Sequence, residues 1–186
     1  MAKVDLNALT GHLHGIVGDL VFKRVRGRLQ AAMRPKPRTS PPTENQRAHH
    51  VVFKRAISHA RHAMADPELQ PIYQRVAAAQ NRSAFTTAVG DYFNPPEVQL
   101  VDVSRFAGKS GDKVTIMATD DVEVKAVGMV VRRSDGTVIE EGPASRVFEE
   151  WVYILTTAIA AGTSLIFEVT ATDWAGNKGM AHKMYP

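Results

Sequence analysis

The hydrophobic period of this chain changes at Asn94-Pro95-Pro96. Between Thr43 and that point apolar residues recur every three or four positions, as one-sided burial of a helix requires, and beyond it they alternate as in strands. Successive prolines cannot continue a helix, and the residue before a proline is pushed toward extended backbone, so the change of period is also a boundary. A second break lies upstream. Pro35, Pro37, Pro41 and Pro42 place four prolines within eight residues, which excludes helix and favours an extended connector. The chain thus reads as α+β, with a basic hairpin arm and Pro-rich connector over residues 1–42, a helical region over 43–96 and an all-β region over 97–186.

In the arm, residues 16–22 read as one extended strand and residues 29–33 as its return. Val25-Arg26-Gly27-Arg28 forms the turn, with Gly27 supplying a positive φ. A lone two-stranded hairpin is marginal in water, so this arm is expected to need another surface.

In the second region Thr43 and Gln46 match a capping box, and the helix they open runs to about Ala65. Val52, Phe53, Ala56, Ile57, Ala60, Ala63 and Met64 share one arc and are expected to be buried. Arg47, His50, Lys54, Arg55, Arg61 and His62 fall on the opposite, basic arc. Asp66-Pro67 opens a second helix to about Gln80, and Ser83 caps a third. Beyond Pro96, residues 98–103, 113–118, 122–131, 138–139, 151–155, 165–172 and 179–185 read as strands. Asp135-Gly136 and Gly162 serve as turn signals between them. Seven or so short strands in about ninety residues describe a sandwich.

The stretches Ala118-Thr119-Asp120-Asp121-Val122-Glu123-Val124, Asp135-Gly136-Thr137 and Ala171-Thr172-Asp173-Trp174-Ala175-Gly176-Asn177 resemble bacterial immunoglobulin-like modules. Over residues 97–186 this resemblance implies an immunoglobulin-like β-sandwich, a fold that serves many functions. Gly15-Ile16-Val17-Gly18-Asp19-Leu20-Val21-Phe22, followed by Pro42-Thr43, Gln46 and Phe53, resembles the N-terminal pattern of small bacterial and phage-associated proteins, which implies no particular activity.

Charge is divided along the chain. Residues 1–96 hold fourteen Lys/Arg against six Asp/Glu, a net +8, and residues 97–186 hold nine against thirteen, a net −4. Six of the seven histidines lie in the first 62 residues. Such a division suits an anionic partner for the first half or head-to-tail self-association. The absence of cysteine excludes disulfides, thiolate nucleophiles and zinc–thiolate sites. The N-terminus lacks the apolar core of a Sec signal, and no apolar run is long enough for a membrane span. Cytoplasmic synthesis is therefore expected, with the final location, virion or extracellular assembly included, left open. Gly-x-Ser-x-Gly, a phosphate-binding glycine loop and His-Glu-x-x-His are all absent from the sequence. The acid pairs Glu140-Glu141 and Glu149-Glu150 sit at apparent hairpin ends, where charges usually face water. No enzyme, cofactor or small-molecule substrate is expected.

Two groupings invite a metal. His12 with His14, His49 with His50, and His59 with His62 are histidine pairs, but no carboxylate at helical spacing completes a set, and solvated or partner-facing imidazoles are expected. Asp120, Asp121, Asp173 and Asn177 could gather at one end of a sandwich as hard-oxygen ligands for Ca²⁺, although the same residues terminate strands and form turns, the reading favoured here.

These readings together suggest a non-enzymatic structural subunit, a homo-oligomer or polymer of the filament, virion or surface-assembly type. Ile16, Val17, Leu20, Val21 and Phe22 would anchor its arm, and Arg24, Arg26 and Arg28 would guide it. The first alternative is a nucleic-acid-binding protein that uses the basic half, helped by Lys23, Arg34, Lys36 and Arg38, with the steep salt dependence of phosphate contacts. The other is an adhesive or carbohydrate-binding module with Trp151, Tyr153 or Trp174 as stacking platforms.

Overall fold

A computed structural model describes the backbone of residues 2–4 and residues 13–25, 27–37 and 40–186. His12, Arg26 and Arg38, named above, lie outside the described residues. The chain divides into two compact units, residues 1–44 and 45–186.

The first unit is a four-stranded antiparallel sheet, not a two-stranded hairpin. It holds β1 (Ala2–Val4), β2 (Gly15–Val17), β3 (Leu20–Val25) and β4 (Arg28–Met33) in the order β1-β4-β3-β2. The single strand expected over residues 16–22 is broken at Gly18-Asp19. Gly18 has φ +57° and stands first in the two-residue loop, where a type II′ turn needs a left-handed residue. Ile16 consequently pairs with Val21, and Val17 with Leu20. Gly27 takes the positive φ expected of it, +76°, between β3 and β4.

The second unit begins with three helices, α1 (Glu44–Ala65), α2 (Leu69–Ala79) and α3 (Ala84–Asp91). Asp66 Oδ1 accepts the Glu68 and Leu69 amides at 2.8 and 3.3 Å, and Ser83 Oγ accepts the Thr86 amide at 3.1 Å, so the caps expected of Asp66 and Ser83 are made. The α1 stripe is only half buried. Ala56, Ala60 and Ala63 are fully enclosed, whereas Val52 and Phe53 are exposed. Phe53 instead joins a ring stack with His49 and Phe93 at the surface.

Eight strands follow: β5 (Glu97–Asp102), β6 (Lys113–Thr119), β7 (Ala126–Arg133), β8 (Val138–Pro143), β9 (Ser145–Val147), β10 (Glu150–Ile154), β11 (Leu165–Thr172) and β12 (Lys178–Tyr185). They form two antiparallel sheets, ordered β5-β6-β10-β9 and β12-β11-β7-β8. Alternation puts Val114, Ile116, Trp151 and Tyr153 of the first sheet against Val127, Met129, Val131, Leu165, Phe167, Val169 and Ala171 of the second, in one hydrophobic core. The long strand expected from Val122 starts only at Ala126, because residues 120–125 form the loop that receives the helices. Val122 and Trp174 pack into the helical cluster of Ala60, Ala63, Tyr73 and Ala88. The helices and the two sheets are thus one body with a shared apolar junction. Gly179, the second residue of β12, lies beside the Pro96 carbonyl oxygen, which any Cβ at that position would overlap.

Candidate functional site

The junction between helices and sheets gathers the buried polar groups of the second unit. Asp91 is the last residue of α3, Asp120 starts the loop after β6, and Asp173 starts the turn after β11. One carboxylate oxygen from each lies within 4.8 Å of the others, and Asp91 and Asp173 are buried. Each carboxylate is held by local bonds. Asp120 Oδ2 accepts the Val122 and Glu123 amides at 3.2 and 3.1 Å. Asp173 accepts the Asn177 amide at 2.7 Å on Oδ1 and the Asn177 side-chain amide at 2.8 Å on Oδ2. That side chain also donates to the Asp91 carbonyl at 2.9 Å, tying the turn to the end of α3.

Asp91 is in an electrostatically poor place. It stands at the negative end of a helix dipole, without solvent, and beside two other carboxylates. Burial pushes its carboxyl up to about 7; the Tyr73 hydrogen bond opposes this, and the charges of Asp173, Asp120 and Asp121 add to it. Asp120 is also raised, chiefly by burial. Tyr73 donates to Asp91 Oδ2 at 2.6 Å, and His59 Nε2 lies 3.0 Å from the same hydroxyl. With the phenol O–H donated to Asp91, the His59 contact requires an Nε2–H, and burial holds the ring's pKa below its ordinary value. Two oxygens, Asp91 Oδ1 and Asp120 Oδ1, are buried with no hydrogen-bond partner among the described residues. The three ion pairs among those residues, Arg75–Glu123, Arg146–Glu123 and Arg132–Glu168, leave this trio out.

The residues named from the sequence divide around this arrangement. Asp120, Asp173 and Asn177 do meet, but Asp121 turns outward to accept the Asn94 side chain at 2.9 Å. Asp91 takes its place. Nothing in its local sequence marks it, because a lone aspartate at a helix end carries no metal-ligand spacing. His59 and His62 do not form a pair facing solvent: His59 is half-buried against Tyr73 and Tyr92, while His62 is exposed. Arg47, His50, Lys54, Arg55, Arg61 and His62 all stand exposed on α1.

In the arm, the register separates the expected anchors onto two faces. Val17, Leu20 and Phe22 share one with Leu29, Ala31 and Met33, while Ile16 and Val21 lie on the other with Ala32. Arg24 lies on the first face opposite Leu29, and Arg28 on the second opposite Val25. Trp151 and Tyr153 are buried in the core, and the Trp174 ring lies beneath Lys125 Nζ, 5.0 Å from its centroid. None of the three is an open aromatic platform.

No protein-family model matches the sequence, and no curated protein matches it either. Among solved structures, CopC from Methylosinus trichosporium OB3b is similar at 17% identity over 48% of this chain and 88% of its own, with a TM-score of 0.35. A bromine derivative of BhCBM56 is similar at 20% identity over 42% of this chain and 83% of its own, with a TM-score of 0.32. Likenesses this partial carry no argument about what the chain binds. No helix among the described residues is long and apolar enough to cross a membrane.

Proposed function

We infer that this chain is a non-enzymatic structural subunit that joins copies of itself through its N-terminal sheet. The observation carrying this reading is the uncovered apolar end of that sheet. Val17, Leu20 and Met33 lie together on one face and are 56%, 39% and 70% exposed. Among the described residues of this unit only Leu29 is buried. A sheet with so little core gains most by burying that face on another surface.

A second copy is the occupant that charge favours. Residues 1–44 hold eight Lys/Arg against three Asp/Glu, a net +5, whereas residues 97–186 carry −4. The receiving surface in our reading is the outer face of the β12-β11-β7 sheet. An open groove of about 590 Å³ there is lined by Val130, Ile166, Met180 and Met184, with the Arg132–Glu168 ion pair among them. Methionines adapt readily to an incoming apolar surface. Contact of one surface with a different surface on the next copy builds rings or filaments.

Within this proposal the two-sheet region is an immunoglobulin-like sandwich. Lettered A, B, C, C′, D, E, F, G in chain order, its strands fall into sheets ABED and GFCC′, an arrangement that supports the reading.

Light scattering on the full-length protein at low and high salt tests the proposal, with Val17→Asp/Leu20→Asp as the variant. The wild type is expected to form an oligomer or polymer that salt weakens, and the double variant to have the mass of one chain with residues 45–186 still folded. A wild-type monomer at every salt and concentration would remove self-assembly, and binding of nucleic acid by the basic half would then be the reading to test.

A further inference from the structure

We propose that Asp91, Asp120 and Asp173 bind a calcium ion that fastens the helices to the end of the two-sheet region. Three observations carry this. First, the three carboxylates reach one point from three separate segments, with oxygens no more than 4.8 Å apart. That spacing lets all of them touch one ion at the calcium–oxygen distance of about 2.4 Å. Second, Asp91 is fully buried, and its Oδ1 has no hydrogen-bond partner among the described residues. The same holds for Asp120 Oδ1. A buried acceptor left unpaired is destabilising, and an ionised one more so. A cation coordinated there removes that cost at both oxygens. Third, no Lys or Arg ion-pairs with the trio among the described residues, so its charge is uncompensated by the chain.

The donor set selects the ion. Three carboxylates without imidazole or thiolate suit a hard cation and not zinc or copper. Calcium accepts irregular oxygen shells at 2.3–2.6 Å, whereas magnesium demands near-octahedral geometry and keeps its waters. Ligands delivered by a helix end, a loop and a turn meet the first requirement more readily. The hydrogen bonds already described then act as supports: Tyr73 orients Asp91, Asn177 orients Asp173, and the Val122 and Glu123 amides orient Asp120. The site lies wholly within the second unit and does not depend on the function proposed above.

The test is calorimetric titration of CaCl₂ into EDTA-stripped full-length protein, paired with thermal unfolding. One site per chain is expected, with the unfolding midpoint raised by about 5–10 °C at a hundredfold excess over Kd. Asp91→Asn is expected to abolish both the heat and the calcium-dependent shift. It should also unfold at a higher temperature than wild type in EDTA, because it removes one of three crowded like charges. A purely structural aspartate would behave oppositely, its loss lowering the midpoint in EDTA. Asp121→Asn, outside the cluster, should bind as wild type does. Absence of heat and of any midpoint shift in the wild type up to roughly 10 mM Ca²⁺, above the weakest extracellular modules, overturns the site whatever the variants do. An equal response to MgCl₂ overturns the assignment to calcium.

Discussion

The Tyr73 hydroxyl donates to Asp91 Oδ2 at 2.6 Å, joining the middle of α2 to the end of α3 with both side chains fully buried. His59 of α1 closes the chain at 3.0 Å, so one phenol links all three helices. Tyr73→Phe keeps the ring and deletes only these bonds. The expected loss is about 1–3 kcal/mol, since Asp91 and His59 are each left with one partner fewer in a buried setting. Urea unfolding should show a lower midpoint with an unchanged slope. A midpoint equal to wild type would mean that the network contributes no net stability.

Glu140 governs a different part of the second unit. Its carboxylate accepts the Thr156 and Thr157 amides at 3.2 and 2.8 Å and the Thr156 hydroxyl at 2.9 Å, joining β8 to the segment after β10. Partial burial acts against ionisation, but the bonds from Thr157 and Thr156 outweigh it and hold the carboxyl below its ordinary value of 4.5. A depressed folded-state pKa stabilises the protein above the unfolded value, and that stabilisation disappears as pH falls through the folded one. Glu140→Gln is therefore expected to cost about 1 kcal/mol at pH 7, reduced by solvent access, and progressively less below about pH 4. Unfolding curves of both proteins between pH 3 and 7 measure the difference. A gap that widens on acidification contradicts the assignment.

Phe148, in the turn between β9 and β10, has φ +58° and is 94% exposed. A left-handed conformation costs an L-residue with a Cβ about 1–2 kcal/mol, and no packing of this side chain repays it. Phe148→Gly should therefore raise stability by about 0.5–1 kcal/mol, the gain being trimmed by the greater freedom of glycine in the unfolded chain. Thermal unfolding of the two proteins decides it. A lowered midpoint would show that the phenyl ring stabilises the turn.

What was legible in the sequence was what neighbouring residues decide among themselves. The Asp66 and Ser83 caps, the positive φ of Gly27 and Gly136, and the alternation of residues 165–172 all depend on local backbone chemistry, and the structure contains each of them. The break at Gly18-Asp19 was equally local. The apolar residues on both sides of it masked the turn that splits β2 from β3, and β1, which pairs with β4, is the further strand that the sequence did not signal.

Tertiary structure alone decided which residues meet across the chain. Asp91 and Asn177 are 86 residues apart and touch only because α3 docks on the turn after β11. Periodicity placed Val52 and Phe53 on the buried arc of α1, yet the buried residues that α1 gives to the cluster with α2 and α3 are Ala60 and Ala63, and Val52 and Phe53 stay exposed. A hydrophobic stripe records which side of a helix can be buried, not how much of its length a neighbour covers. The same limit applies to the acidic cluster. A carboxylate's role depends on burial and on the charges around it, and both arise only when separate segments pack.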